Sequence, residues 1–325
     1  MKTNSNKYEI DYNKSCLSIV IPCYKEEEVL EETTKRLSNL LDQMITANII
    51  SSDSFILYVN DGSTDQTWAI IEHLHSVNKY VHGVNLAGNV GHQRALLAGL
   101  NIAHPMSDFV ISIDADLQDD IEVIPQMVQK YKAGYDIVYG VRKERKTDTW
   151  FKRTTALGFY KLMNIMGVQT VYNHADFRLM SKRAVEFLCQ FPERNLFLRG
   201  IVPLIGYKTD CVYYNRAERF AGESKYPLSK MLNFAIDGIT SFSVKPIRFC
   251  IFIGVLFCLI GILFGVWALY RFFIGATVDG WTSLFLTLWF IGGCIMIAIG
   301  IVGEYVGKIY IEAKARPRYN IEKII

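Results

Sequence analysis

Two aspartates, Asp114 and Asp116, follow an apolar segment and are separated only by Ala115. The segment before them, residues 109–113, reads FVISI and is typical of a buried β-strand. If the chain stays extended, residues two apart point to the same side, so both carboxylates can converge on one hard cation. Gln118 supplies a further oxygen donor nearby. Because Mg²⁺ combines one or two carboxylates with substrate phosphates, the pattern predicts a metal-bound nucleotide substrate.

Other residues have side chains suited to phosphate chemistry. Asp176 stands before Phe177 and Arg178 in a polar part of the chain. Guanidinium groups can contact phosphate through two hydrogen bonds at once, which makes two arginine-containing clusters of interest. The first cluster is Arg142, Arg145, Lys152 and Arg153, and the second is Arg216, Arg219, Ser224 and Lys225. Either cluster suits a lipid phosphate, and general attraction to anionic headgroups is the alternative explanation.

Polar residues also follow the first two apolar runs of the chain. Tyr24 and Glu26 come after the run LSIVIP, and Asp61 comes after the run FILYV. Turn formation is an alternative role for Asp61, because aspartate is a common turn residue. His92 has no partner at the spacing of a metal site, so we expect a hydrogen-bonded structural histidine there.

The elements that must position these residues alternate along the chain. Short apolar runs rich in β-branched residues predict strands at 17–22, 55–59, 81–86, 109–113 and 137–139. Helical patterns lie between them, at 26–44, 67–77, 93–103 and 121–131. Nearly continuous apolar strands indicate a parallel sheet covered by helices on both faces. In such sheets ligands bind beyond the carboxyl ends of the strands, where the polar residues lie.

The C-terminal part of the chain contains two long stretches without charge, at 249–270 and 280–303. About 20 apolar residues suffice to cross a bilayer as a helix, so we predict transmembrane helices at 249–273 and 280–303. Two buried core helices are the alternative. Residues 227–248 predict a juxtamembrane amphipathic helix, and residues 304–325 predict a basic cytosolic tail. Lys and Arg lie outside the pair of stretches, so both termini and the domain at 1–226 are expected in the cytoplasm.

The composition excludes several classes of protein. The net charge is only +3, which disfavours nucleic acid as a partner. The seven cysteines are scattered without a C-x-x-C pair, so neither a disulfide framework nor a zinc site is expected. No apolar segment typical of a secretory signal lies near the N-terminus. No G-x-G-x-x-G follows the first strand, which disfavours a nucleotide-dependent oxidoreductase.

Six segments, taken in order, resemble the family 2 glycosyltransferases, and most closely their polyprenyl-phosphate branch. These segments are SIVIPCYKEEE, VNDGSTD, NVGHQRALLAG, DADLQDD, ADFRLMS and RFAGESKY. The branch includes bactoprenol (undecaprenyl-phosphate) glucosyltransferases and dolichol-phosphate mannose synthases. The resemblance covers roughly residues 17–230, and the pair of apolar stretches matches the bacterial members. It implies a GT-A (Rossmann-like) nucleotide-sugar domain with a mostly parallel sheet, followed by two transmembrane helices.

The implied activity is the inverting, metal-dependent transfer of one sugar to a membrane lipid. The donor would be a UDP-sugar carrying glucose or N-acetylglucosamine, and the acceptor would be undecaprenyl phosphate at the cytoplasmic face of the cell membrane. The product would supply sugar for modification of a cell-surface glycan such as the cell wall. Another lipid acceptor, or an inactive membrane partner with the same fold, stays open as an alternative, and a homo-oligomer is compatible with the sequence.

The resemblance also implies roles for individual residues. The residues implied to bind the nucleotide sugar are Pro22, Tyr24, Glu26, Asp61, Asp114, Ala115 and Asp116. The ligands of Mg²⁺ or Mn²⁺ are Asp114, Asp116 and Gln118. The residues implied to bind the acceptor phosphate are Arg142, Arg153, Arg219, Ser224 and Lys225. Asp116 and Asp176 are the implied catalytic residues. Because the acceptor phosphate is already anionic near neutral pH, it needs positioning more than deprotonation, and Asp176 is expected to orient a substrate or stabilise the transition state.

Overall fold

The structure is a computed structural model, and it describes residues 15–143, 174–215, 240, 243–274 and 280–325. Four of the predicted phosphate-binding residues, Arg153, Arg219, Ser224 and Lys225, lie outside the described residues, as does most of the predicted amphipathic helix. The described residues belong to two compact units. The first contains 15–143, 174–215 and 316–325, and the second contains 240, 243–274 and 280–315.

One sheet runs through the first unit. Its strands are β1 Leu17–Cys23, β2 Phe55–Asn60, β3 Val81–Leu86, β4 Phe109–Ser112, β5 Ile137–Arg142, β6 His174–Ser181, β7 Thr209–Tyr214 and β8 Ile321–Ile324. Their order across the sheet is β7-β5-β6-β4-β1-β2-β3-β8. Neighbouring strands are parallel except where β6 meets β4 and β5 and where β8 meets β3. The predicted α/β class with a mostly parallel sheet is therefore confirmed.

Helices alternate with these strands. They are α1 Leu30–Thr46, α2 Thr67–Val77, α3 His92–Ala103, α4 Ile124–Lys132, α5 Lys182–Gln190 and α6 Leu198–Leu204. Every residue of β1, β2 and β4 is buried, which explains why these strands read as continuous apolar runs. Each fully buried leucine or isoleucine in this core contributes roughly 1.5–3 kcal/mol.

Helix α3 packs unusually close to the centre of the sheet. A Cβ atom added at Gly99 would lie 2.4 Å from a side-chain atom of Val20 in β1 and 2.6 Å from one of Val59 in β2. Only glycine allows this approach. This close packing holds α3 against the sheet, and His92 at the start of the helix lies beside Asp114, just after β4.

Residues 304–325 were predicted to form a basic tail, but in the structure they form the end of a helix and an edge strand. Helix α8, Trp281–Lys314, continues past the predicted end at 303, and Ala315 ends it in the left-handed conformation at φ 45°. Strand β8 then pairs antiparallel with β3, and Gly83 and Ile325 exchange two backbone hydrogen bonds of 3.0 and 2.9 Å. Pairing occurs because it satisfies backbone groups that an open edge of β3 would leave exposed. The charge of this segment gave no sign of a strand.

The second unit contains two long helices, α7 Lys245–Phe273 and α8. Large apolar side chains are exposed along both; for example, Leu263 is 71% and Met296 is 68% accessible. Among the described residues, 290–314 form the one stretch with the length and apolarity of a membrane span, with a mean hydropathy of 1.8. The structure therefore supports one candidate span, and two spans stay a prediction.

Candidate active site

The turn after β2 holds the loop that leads into α3. Asp61 is buried, and its two carboxylate oxygens accept hydrogen bonds from the backbone N–H groups of Val90 (2.7 Å) and Gly91 (3.0 Å). Burial raises the pKa of the Asp61 carboxyl, and these two hydrogen bonds oppose the rise. The next residue, Gly62, has a φ of 62°, and a Cβ there would lie 2.5 Å from the backbone of Gly88. Asp61 is thus a loop anchor, and its predicted contact with a nucleoside stays a prediction.

The loop after β1 is joined to the same turn. Lys25 adopts a φ of 57°, which is strained for a side-chain-bearing residue, and its N–H donates to Ser63 Oγ at 3.0 Å. The N–H of Glu26 donates to Thr67 Oγ1 at 3.1 Å. Tyr24 is 42% accessible at the tip of this loop. Of the residues predicted to bind the nucleoside, Tyr24 and Glu26 therefore lie on the loop packed against the Asp61 turn.

Pro22 and Ala115, also predicted to bind the nucleotide sugar, have other surroundings. Pro22 is a buried residue of β1 in register with Val59. Ala115 is 3% accessible, and its carbonyl accepts a hydrogen bond of 2.9 Å from Thr33 Oγ1 of α1. Both shape the strand ends from within the core. Ligand contacts of these two residues stay predictions.

Acidic side chains converge after β4. Although 36% of the Asp114 side chain is accessible, the carboxyl is surrounded by protein on most sides. Burial raises the pKa of Asp114 to about 6, in spite of the opposing charge of His92. The carboxylates of Asp176, Asp119 and Asp116 add to this rise. This concentration of negative charge is the kind of environment that a divalent cation relieves.

The loop at Asp116 turns sharply. Leu117 has a φ of 56°, and the N–H of Gln118 donates to Asp116 Oδ1 at 3.2 Å. In the part of the chain that the structure describes, no group of three or more His, Cys, Asp or Glu side chains is arranged to hold a metal ion. The donors at this loop, two carboxylates and an amide oxygen, still fit the chemistry of Mg²⁺ or Mn²⁺, which take further ligands from phosphate and water.

Asp176, on β6, is surrounded by positive charge. Arg178 Nη2 donates to Asp176 Oδ1 at 2.5 Å, and Arg199 of α6 donates to both oxygens at 3.0 and 3.3 Å. Burial alone would raise the pKa of Asp176, but Arg199, His92 and Arg178 hold it well below its usual range. A carboxylate with this low pKa stays ionised and is a poor acceptor of protons. Its environment suits positioning and charge stabilisation, not general base catalysis.

Arg178 itself is 1% accessible on its side chain, and its Nε and Nη1 have no hydrogen-bond partner among the residues that the structure describes. The hydroxyl of Ser112 donates to the carbonyl of Asp176 at 2.6 Å, which ties β6 to the end of β4. The D-F-R segment thus places the carboxylate of Asp176 at the site and pairs it with the buried guanidinium of Arg178. The antiparallel course of β6 between β4 and β5 makes this arrangement possible.

His92 was predicted to be a hydrogen-bonded structural histidine, and the structure places it between two carboxylates of the site. Its Nε2 lies 3.6 Å from both Asp114 Oδ1 and Asp176 Oδ2, and 41% of the side chain is accessible. Burial lowers the pKa of His92, but the two carboxylates outweigh this effect and raise it to about 9. A protonated imidazole therefore bridges the predicted metal-binding aspartate and the predicted catalytic aspartate. The residues around His92 in GHQR did not predict these contacts. The signal that the sequence did offer is the position of His92, between a strand and the helix that follows it.

Arg142 has partners within the protein. Its guanidinium donates to the buried carboxylate of Asp119 at 3.1 Å and to Tyr214 Oη at 3.3 Å, and the Tyr214 hydroxyl also donates to Asp119. This cluster ties the loop after β4 to the ends of β5 and β7. Arg142 thus holds the acidic loop in place, and its predicted contact with the acceptor phosphate stays a prediction. Arg199 was not identified from the sequence, yet it contacts the predicted catalytic residue Asp176 directly.

The family model of glycosyl transferase family 2 matches residues 18–188, and the chain belongs to this family. It is a glycosyltransferase with a GT-A type α/β fold, as the sequence resemblance implied.

Relatives match almost the whole chain. The Bacillus subtilis (strain 168) protein described as uncharacterized glycosyltransferase YkoT is 56% identical over 94% of this chain and 91% of its own length. The prophage bactoprenol glucosyl transferase homolog of Escherichia coli (strain K12) is 42% identical over 95% of this chain and 99% of its own. A solved mannosyltransferase from Pyrobaculum calidifontis, in complex with GDP-Man and Mn2+, covers 93% of this chain and 86% of its own with 14% identity and a TM-score of 0.45.

Proposed function

We propose that this protein transfers one sugar, glucose or N-acetylglucosamine, from a UDP-sugar to undecaprenyl phosphate with inversion at the anomeric carbon. The observation that carries the acceptor assignment is the 42% identity with a bactoprenol glucosyl transferase homolog over 95% of this chain. The aligned region spans the catalytic unit and the apolar helices alike. The lipid-linked sugar would then serve modification of a cell-surface glycan.

The ionised Asp176 is central to the proposed mechanism. The acceptor phosphate is already anionic near neutral pH, since its second pKa is about 6, so it needs no base. Asp176, fixed by two arginines, would orient the sugar or stabilise positive charge that develops at the anomeric carbon. His92 would keep Asp176 and Asp114 at a fixed separation. Precise placement of a nucleophile and a sugar accounts for much of the rate of such a reaction.

Asp114, Asp116 and Gln118 would hold Mg²⁺ or Mn²⁺. When bound, the ion would neutralise the diphosphate and so improve it as a leaving group. Tyr24, Glu26 and Asp61 would line the nucleoside. The raised pKa of Asp114 supports the ion assignment, because unrelieved negative charge at that carboxyl is otherwise costly.

The acceptor phosphate would be bound by Arg153, Arg219, Ser224 and Lys225. We assign Arg142 first to holding the acidic loop through Asp119, and second to this phosphate. The exposed apolar surfaces of α7 and α8 support a two-span anchor, with the catalytic unit and both termini on the cytoplasmic side. Such an anchor would keep the enzyme at the surface where its lipid acceptor resides.

The deciding experiment incubates detergent-purified protein with undecaprenyl phosphate, Mg²⁺ and a panel of radiolabelled nucleotide sugars. We expect label from one UDP-sugar in the lipid phase, and we expect its loss with EDTA and in Asp116→Ala. Asp120→Ala is the matched control, because Asp120 caps a nearby turn through the N–H of Glu122 and has no proposed ligand role. It should retain turnover.

Two results would contradict the proposal. Label that enters diacylglycerol or ceramide, but not undecaprenyl phosphate, would assign a different lipid acceptor. Folded protein that binds UDP but labels none of these lipids would favour the inactive membrane partner.

A further inference from the structure

A line of hydrogen bonds runs from the C-terminal strand to the loops proposed to bind the nucleoside. Asn85 Nδ2, at the end of β3, donates to Glu322 Oε2 on β8 at 2.8 Å. Asn60 Nδ2, at the end of β2, donates to Asn85 Oδ1 at 2.7 Å. Asn60 Oδ1 accepts the N–H of Ser63 at 3.3 Å, and Ser63 Oγ accepts the N–H of Lys25 at 3.0 Å.

The chemistry of Glu322 sets the direction of this line. An ionised carboxylate only accepts hydrogen bonds, whereas an asparagine amide has one accepting end and one donating end. Glu322 therefore requires the NH₂ group of Asn85, which turns the Asn85 oxygen toward Asn60. That oxygen in turn requires the NH₂ group of Asn60. The Asn60 oxygen is left facing the N–H of Ser63, as the turn needs.

The last bond of the line acts on a strained residue. Lys25 has a φ of 57°, a conformation that side-chain-bearing residues adopt only when their surroundings hold them there. Its N–H is bound by Ser63 Oγ, so the placement of Ser63 stabilises the loop that carries Tyr24. Asn60 is 2% accessible, so a wrongly turned amide at this position would leave a polar group buried without a partner.

We propose that Glu322 is a positioning residue for the donor nucleotide, acting through Asn85, Asn60 and Ser63. The inference rests on the proposed function, because it takes the loops at Lys25 and Asp61 as the nucleoside site. A strand that lies beyond α8 in the sequence thereby contributes to donor affinity without touching the donor. A merely structural role for Glu322 would change stability and leave the affinities for the two substrates in the same ratio.

The test compares three variants of the full-length protein in detergent. Glu322→Ala should raise the KM for the UDP-sugar, and the Kd for UDP measured by calorimetry, by about 3- to 10-fold, the effect of one lost hydrogen bond. The KM for undecaprenyl phosphate should not change. Glu322→Gln should restore both constants to within about twofold of wild type, because a glutamine oxygen can still accept from Asn85.

Lys323→Ala is the matched control on the same strand. It removes the 2.7 Å ion pair between Lys323 and Glu72, which lies outside the line. It should cost similar thermal stability with unchanged donor KM. If Glu322→Ala leaves the donor KM and the UDP Kd at wild-type values, the positioning role is overturned while the proposed function stands. If wild-type protein binds no UDP and uses no UDP-sugar, both are overturned.

Discussion

The two halves of the strand edge are held together by different forces. On the side of β1 and β2, backbone hydrogen bonds to Asp61 and Ser63 fix the loops. On the side of β4 and β6, charged side chains do so, with Asp176 between Arg178 and Arg199. Under the proposed function, the first arrangement suits a neutral base and ribose that need a rigid surface. The second suits a reaction in which charge moves between a diphosphate and a lipid phosphate.

Because of this difference, the two halves should tolerate different kinds of substitution. A backbone-held loop depends on conformation, so it is sensitive to an added Cβ atom. A charge-held site depends on the balance of cations and anions, so neutral substitutions of similar shape should damage it. The predictions below use that contrast.

The largest effect is expected from Asp176→Asn. The shape of the side chain is retained, but the charge proposed to stabilise the anomeric carbon is lost, so we expect turnover to fall by about 10²- to 10³-fold. The measurement is kcat for lipid-linked sugar formation. Asp210→Asn, at a partly exposed aspartate paired with Lys130, is the control and should keep wild-type turnover. Near-normal turnover in Asp176→Asn would show that the carboxylate has no role in the reaction.

Removing Arg178 should cost more stability than removing Arg199. The Arg178 side chain is 1% accessible, and breaking a buried ion pair costs about 3–5 kcal/mol, so Arg178→Met should lower the free energy of unfolding by roughly that amount. The Arg199 side chain is 34% accessible, so Arg199→Met should cost about 1 kcal/mol or less. Denaturant unfolding of both variants measures the difference. Equal losses would mean that the buried position of Arg178 confers no special stability.

Gly62→Ala tests the backbone-held side. The positive φ of Gly62 costs about 1 kcal/mol for alanine, and the new Cβ would also lie 2.5 Å from Gly88, so the total loss should exceed about 2 kcal/mol. Gly134→Ala isolates the first part, because Gly134 has a φ of 87° with open space around it. It should cost only about 1 kcal/mol. Melting temperatures that fall equally in both variants would show that the turn can move away from Gly88.

The remaining prediction concerns His92 and the pH dependence of stability. The pKa of His92 is raised to about 9 in the folded protein, so the stability that it contributes is fully present below its unfolded pKa of about 6.5. That stability should be lost as pH rises toward 9. The melting temperature of His92→Gln should therefore lie furthest below wild type near pH 6 and approach it near pH 9.5. A constant difference across this range would contradict the bridging role.

The sequence predicts the local features of this molecule well. Continuous apolar runs such as 17–22 and 55–59 predict buried parallel strands, because burial on both faces leaves that pattern in a few adjacent residues. The acidic loop at Asp114 follows from the same reasoning, since a strand end in this architecture is where ligands bind. The helix predicted at 67–77 is also confirmed, since α2 spans Thr67–Val77.

Long-range features could not be predicted in this way. His92 meets Asp176 only because α3 and β6, which are far apart in the chain, both begin at the same edge of the sheet. Nothing in the residues around Arg199 indicates that it will contact the D-F-R segment. Strand β8 was missed because four residues with two charges carry too little pattern to identify a strand, and its partner lies more than two hundred residues earlier.

The position of β8 has a consequence for biogenesis. Synthesis proceeds from the N-terminus, so the outer edge of β3 stays unpaired until α7 and α8 have been made and the strand at 321–324 has followed them. During that interval the nascent catalytic sheet exposes backbone donors and acceptors that can join other chains. A fragment that stops before α7 keeps this open edge permanently. Soluble versions of the catalytic unit should therefore carry residues 316–325 fused by a short linker.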